Sequence, residues 1–127
     1  MLTYLWIALG GALGSVARYG LSDYLVTRHT APPPYAILLI NATGSFLIGA
    51  GAALTGPGGR WTTVPSDFRL FFMVGICGGY TTFSSFSLQT FDLARGGAVL
   101  LAGLNILGSV TLCLLAVWLG WRLGGRS

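Results

Sequence analysis

Charged side chains are nearly absent from this chain: 127 residues include seven arginines and three aspartates, with no lysine and no glutamate. Soluble domains carry charge on about a quarter of their residues, so a surface facing water cannot be assembled from the 8% present here. A surface facing lipid can, because hydrocarbon tails solvate Leu, Ile, Val, Phe and Ala without the penalty water imposes, and hydrophobic residues supply 54% of the chain. An ordinary soluble enzyme is thereby excluded. The formal charge of +4 does not point to nucleic acid, since the arginines stand singly and form no basic stripe.

A helix needs roughly 20 apolar residues to cross the hydrocarbon core, and four stretches qualify: 3–26, 35–54, 68–93 and 97–121. The first ends before Arg28, His29 and the helix-hostile Pro32, Pro33 and Pro34. It lacks the basic start and small-residue cleavage site of a signal peptide, so it reads as part of the mature protein. Gly56, Pro57, Gly58 and Gly59 close the second, and Pro65 and Asp67 precede the third. The expected architecture is one all-α membrane domain over residues 1–127, with four transmembrane helices and short loops. Cys77 and Cys113 lie inside apolar runs at a spacing that matches no zinc or redox pattern.

With four spans both termini share a side, which receives Arg60, Arg69, Arg122 and Arg126, while Arg28 and Arg95 fall opposite. So weak a positive-inside bias permits insertion in both orientations. Two copies in opposite orientation would reproduce the inverted-repeat geometry of larger transporters. Four short helices enclose little space alone, so an oligomer is expected.

Polar residues within the spans are informative because each is costly unless it faces protein or water. Gly11, Gly14, Ser15, Arg18 and Ser22 share one face of the first span, and Gly10 with Gly14 forms a small-x-x-x-small contact motif. Arg18 either snorkels to the interface or presents a positive charge to an anion entrance. Asn41, Gly44, Ser45 and Gly49 form a second stripe, in which Asn41 reads equally as an interhelical hydrogen bond or a pore-lining donor. Asn105, Gly108, Ser109 and Thr111 repeat the pattern more weakly in the fourth span.

The third span carries Gly75-Ile76-Cys77-Gly78-Gly79-Tyr80-Thr81-Thr82-Phe83-Ser84-Ser85-Phe86-Ser87. Adjacent glycines followed by β-branched residues and hydroxyls form helix poorly, so this span is expected to break in mid-membrane. The carbonyls at the end of its first half would suit a small cation, and the amides opening its second half would suit an anion. Phe83 and Phe86 share a face of that second half. They pack against core or lipid, or they hold a small anion in the ring plane with their electropositive edges.

These residues form a family pattern. Gly10-Gly11-x-x-Gly14-x-x-x-Arg18-Tyr19, Asn41-x-x-Gly44-Ser45-Phe46 with Gly49, and Gly75-x-Cys77-Gly78-Gly79-x-Thr81-Thr82-Phe83-Ser84-x-Phe86-Ser87 resemble the small fluoride channels of the CrcB/Fluc family. The resemblance runs through all four spans. It implies an antiparallel, dual-topology dimer with two fluoride pores, a central Na⁺, and passive export of cytoplasmic fluoride, which places the chain in the cytoplasmic (inner) membrane of a prokaryote. Carried onto this chain, it implies anion-facing rings at Phe83 and Phe86, a pore amide at Asn41 and a hydroxyl track at Ser84, Ser85 and Ser109. It also implies Na⁺ on the backbone carbonyls of Gly78 and Thr81. Two positions depart from the pattern: Ser85 stands where Thr is common, and Gln89 where Glu is common.

Other classes fit less well. A proton-coupled exporter needs an intramembrane carboxylate, yet Glu is absent and the three Asp lie near span ends. A membrane enzyme needs acid–base or metal-binding groups that the spans lack. A non-conducting assembly or accessory subunit would share the packing glycines but has no use for the hydroxyl-rich break.

Overall fold

The computed structural model describes residues 1–28 and 33–125; His29, Pro32 and Arg126 lie outside them. Among the described residues there are six α-helices, one wider helix and no strand. They are α1 (Leu2–Arg28), α2 (Pro33–Thr55), α3 (Ser66–Leu70), the wider segment π1 (Phe71–Cys77), α4 (Gly78–Tyr80), α5 (Phe83–Arg95) and α6 (Val99–Gly124). The run from α3 through α4 is one continuous helical rod over 66–80, and α5 resumes it after a break at Thr81 and Thr82.

Long helices are the structures that let an apolar chain satisfy its own backbone hydrogen bonds without water. The prolines fit this scheme, since Pro33 and Pro34 sit in the first turn of α2, where an N–H has no intrahelical partner anyway. At the same end of the molecule, α5 stops at a glycine turn. Gly97 takes φ +83°, and Ala98 N donates back to Leu93 O at 2.9 Å, reversing the chain into α6.

Among the described residues three segments are long and apolar enough to cross a membrane: Pro34–Thr55, Ser66–Arg95 and Val99–Gly124. Helix α1, with 27 residues, is long enough, but Arg18, Asp23 and its glycines leave it less apolar than these three. Its polar face turns inward. At the crossing of α1 with the rod, Gly10 and Gly14 meet Gly75 and Gly79 backbone to backbone, and a Cβ at Gly14 would overlap the carbonyl oxygen of Ile76. A second close crossing joins α2 to α6, where a Cβ at Gly49 would overlap Val117 O and one at Gly120 would overlap Phe46 O. Small residues that let backbones approach are the usual basis of helix association in lipid, where burying apolar surface gives no drive of its own.

The buried core is correspondingly small. Ile37, Ile40 and Phe86 form its centre, with Leu21 and Tyr80 packed against it. Large apolar side chains point outward instead, among them Leu100, Leu104, Leu107, Leu114 and Trp118 along α6. Exposed apolar surface on this scale marks contact with lipid or protein rather than water.

The crossing of α1 with the rod predicts a contrast between two glycines of one helix. Gly14→Ala should lower the thermal unfolding midpoint of the purified protein, because overpacking costs about 1–3 kcal/mol. Gly20→Ala should hold or raise it, because nothing lies within 4 Å of a Cβ there and alanine is the better helix former.

Candidate functional site

The break in the third segment is made by its threonines rather than its glycines. Gly78 and Gly79 remain helical, and neither has positive φ. Glycine at 79 serves packing instead, since a Cβ there would press on the Gly11 backbone at 2.5–3.1 Å. Thr81 (φ −80°, ψ 156°) and Thr82 (φ −149°, ψ 112°) are extended, a conformation that β-branched residues favour.

Several backbone groups around the break are matched from within the protein. Thr81 donates both its N–H, at 3.0 Å, and its Oγ1, at 2.9 Å, to Cys77 O, closing the first half. Gly79 O accepts from Arg18 Nε at 3.3 Å and from Ser15 Oγ at 3.4 Å on α1. This places the cation at the negative end of the first half-helix dipole. From α2, Asn41 Oδ1 accepts from Thr82 N at 2.8 Å, while Asn41 Nδ2 donates to Thr82 O at 3.1 Å. Thr82 then caps α5, its Oγ1 accepting from Ser85 N at 3.2 Å. The same hydroxyl donates to Ser85 Oγ at 3.1 Å and lies 3.2 Å from Ser84 Oγ.

Beside the break, α2, the rod, α5 and α6 border an open cavity of about 300 Å³ lined by Asn41, Gly44, Ser45, Ile48, Cys77, Gly78, Thr81, Thr82, Phe83, Phe86, Ser109, Val110 and Cys113. Its polar side chains are one amide and four hydroxyls, and no carboxylate lines it. Such a lining offers hydrogen-bond donors inside an apolar wall, which suits a small anion. Phe83 is 78% exposed and Phe86 only 9%, with ring centroids 5.4 Å apart and planes inclined at 49°. The pair therefore runs from open surface to core.

A family model described as CrcB-like protein, Camphor Resistance (CrcB), matches residues 5–121. The chain belongs to the CrcB-like family. It is 58% identical over 120 residues to a protein of Paramagnetospirillum magneticum named fluoride-specific ion channel FluC, covering 94% of this chain and 93% of that one. Proteins with the same name from Rhodospirillum rubrum and Thermus thermophilus are 56% and 48% identical, covering 94% and 96% of this chain and 92% and 93% of theirs. Membrane-length apolar helices in a CrcB-like chain make this an all-helical integral membrane protein.

The structure brings Asn41, Gly78, Thr81, Phe83, Phe86 and Ser109 around one cavity. Ser84 and Ser85 lie at the head of α5 against Thr82, outside that lining, and Arg18 reaches the break from α1. Ser87 spends its hydroxyl on Phe83 O at 2.9 Å. Asn105 bonds Thr90 Oγ1 at 2.8 Å and joins α6 to α5. Gln89 borders a separate cavity with Pro34 and Asp92, and its buried Oε1 has no partner among the described residues. Cys77 and Cys113 are free thiols on the cavity beside the break.

Sequence reasoning did not single out Thr82, the residue on which the break's hydrogen bonds converge. The available signal was its position: two β-branched residues after the last helical turn leave a donor and an acceptor that need partners, and Asn41 carries one of each. Gly44 was likewise read only as part of a stripe, although a Cβ there would overlap Thr81 Cγ2.

The cap predicts that Thr82→Ala lowers the unfolding midpoint through a loss of about 1 kcal/mol. Thr82→Ser, which keeps the hydroxyl, should stay close to the parent protein in the same thermal scan.

Proposed function

We propose that this chain is a fluoride-selective channel giving passive export of cytoplasmic fluoride. In this reading it works as an antiparallel homodimer, or beside a sibling subunit of opposite orientation, in the cytoplasmic membrane of a prokaryote. One observation carries the reading: over 94% of its length the chain is 58% identical to a protein named fluoride-specific ion channel. The geometry supports it, since a hydroxyl-lined cavity beside a broken helix suits anion passage better than any acid–base or metal chemistry.

Fluoride is small and strongly hydrated, so a pathway must replace water's hydrogen bonds. Ser84, Ser85 and Ser109 supply hydroxyls for that purpose. Asn41 adds the Nδ2 proton not used on Thr82. Phe83 and Phe86 offer ring edges, and Arg18 adds a fixed positive charge behind the break. Helix α1 serves as the fourth span, with its polar face covered by the rod. The weak arginine asymmetry between the two sides supports dual insertion.

The backbone chemistry fits a small monovalent cation. Neighbouring carbonyls are taken: Cys77 O by Thr81, Gly79 O by Arg18 and Ser15, and Thr82 O by Asn41. Gly78 and Thr81 would hold Na⁺ with neutral oxygens, a donor set without the carboxylates that divalent ions usually take. Bound there, Na⁺ would lower the barrier to an anion in a low-dielectric path.

Liposomes containing only this protein should release fluoride and retain chloride. Phe86→Ile keeps bulk but removes the ring edge, an interaction of roughly 1–1.5 kcal/mol, so efflux should fall about tenfold. Unchanged efflux would return the ring to packing, and absence of efflux in the parent protein would favour an accessory subunit.

Gly78 tests the assembly. It is exposed, and the nearest atom to a Cβ there is Met73 O at 3.9 Å, so the protomer has room for a side chain to begin at this position. Loss of efflux in Gly78→Leu is expected if a second break and a shared cation lie against this position. Full activity would refute the shared site. A C-terminal tag should also be labelled from both sides of the membrane, and labelling from one side alone would sink dual topology for this chain by itself.

A further inference from the structure

An extended residue ordinarily satisfies its N–H and C=O by pairing with a neighbouring strand, but there is no strand among the described residues. At Thr82 the partner is a side chain. Asn41 accepts from the Thr82 N–H at 2.8 Å and donates to the Thr82 carbonyl at 3.1 Å. A primary amide presents a donor and an acceptor in one plane, as a peptide does.

We infer that, besides the amide proton it presents to the pathway, Asn41 is a positioning residue: it sets the conformation of the break through the Thr82 backbone. The inference deepens the channel reading and rests on it for its functional consequence.

The surroundings of Asn41 are built to hold this pairing in register. Ile40, next to it on α2, is fully buried. Two residues further on, Thr43 Oγ1 lies 3.0 Å from Tyr80 OH. One residue beyond that, Gly44 leaves the space that the Thr81 methyl occupies. Residues 41, 43 and 44 of α2 thus engage residues 82, 80 and 81, three contacts that together fix where the amide falls. The consequence for permeation is specific. The Thr82 N–H faces Asn41 and is withdrawn from the anion, while its hydroxyl is held at the head of α5 with Ser84 and Ser85.

The test separates action through the backbone from direct contact with the anion. Incorporating the α-hydroxy acid analogue of threonine at position 82 replaces the amide by an ester and removes the N–H that Asn41 accepts, leaving every side chain in place. Asn41→Ser keeps a hydroxyl donor toward the cavity but is too short to span both groups. Fluoride efflux from liposomes is measured for the parent, each single variant and the double variant, and hydrogen exchange of the Thr82 amide is followed in the parent and in Asn41→Ser. Each single change should lower efflux about tenfold, since each removes at least one part-buried hydrogen bond between Asn41 and Thr82. The double variant should be no worse than the worse single, because both act on one interaction. Exchange at Thr82 should quicken by a similar factor while amides of α6 keep theirs.

An ester variant that conducts like the parent overturns the proposal by itself, and it remains decisive if Asn41→Ser fails to purify. Efflux losses that multiply in the double variant overturn it as well. A parent protein that conducts no fluoride counts against the channel reading alone. Exchange at Thr82 then still decides whether Asn41 holds the break, and unchanged exchange in Asn41→Ser would refute it.

Discussion

A backbone that leaves the helix inside a hydrocarbon layer must find its hydrogen-bond partners in the protein, because no water is there to supply them. The third segment does this at Thr81 and Thr82, and the molecule is arranged around meeting that demand. Helix α1 supplies Ser15 and Arg18 to Gly79 O, and α2 supplies Asn41 to both backbone groups of Thr82. Thr81 closes on Cys77, and Thr82 opens the next helix with its own hydroxyl. The break is a scaffolded turn held from two sides rather than a gap in a weak helix.

Such scaffolding requires helices that sit very close to the broken rod. The α1 crossing meets this need with glycines on both partners, Gly10 and Gly14 against Gly75 and Gly79. The short reach from Ser15 and Arg18 to Gly79 O depends on that approach. Packing through small residues also leaves the bulky apolar side chains free to face outward, which explains why so small a core, centred on Ile37, Ile40 and Phe86, serves a chain so rich in Leu. In water this distribution would be untenable. Against lipid, or against a second copy, it is an ordinary surface.

The arrangement bears on the proposed permeation path because it determines which polar groups are spent and which remain. Three carbonyls near the break, those of Cys77, Gly79 and Thr82, and the Thr82 amide are engaged by Thr81, Arg18 and Asn41, so the chemistry left to the cavity is mainly hydroxyl and aromatic. Phe86 contributes to the core and to the cavity lining at once. Stability and site therefore share side chains.

The fold class was legible in the sequence because apolar run length and charge scarcity leave a chain no choice but long helices in lipid. The broken third segment was legible too, from Thr81 and Thr82 beside paired glycines, as was the small-residue packing of Gly10 and Gly14. Individual bonds were not. Nothing in the spacing of Asn41 reveals that its amide faces Thr82, since the two are 41 residues apart and meet only when α2 docks on the rod. Gly78 and Gly79 read as helix breakers but remain helical, and at Gly79 the close approach of α1 is what calls for glycine. Hydropathy and local propensity, which act along the chain, determined that there would be apolar helices and one interruption. Which side chains answer that interruption was decided only by tertiary structure, because a hydrogen bond between distant residues exists only once backbones have come within a few ångströms of each other.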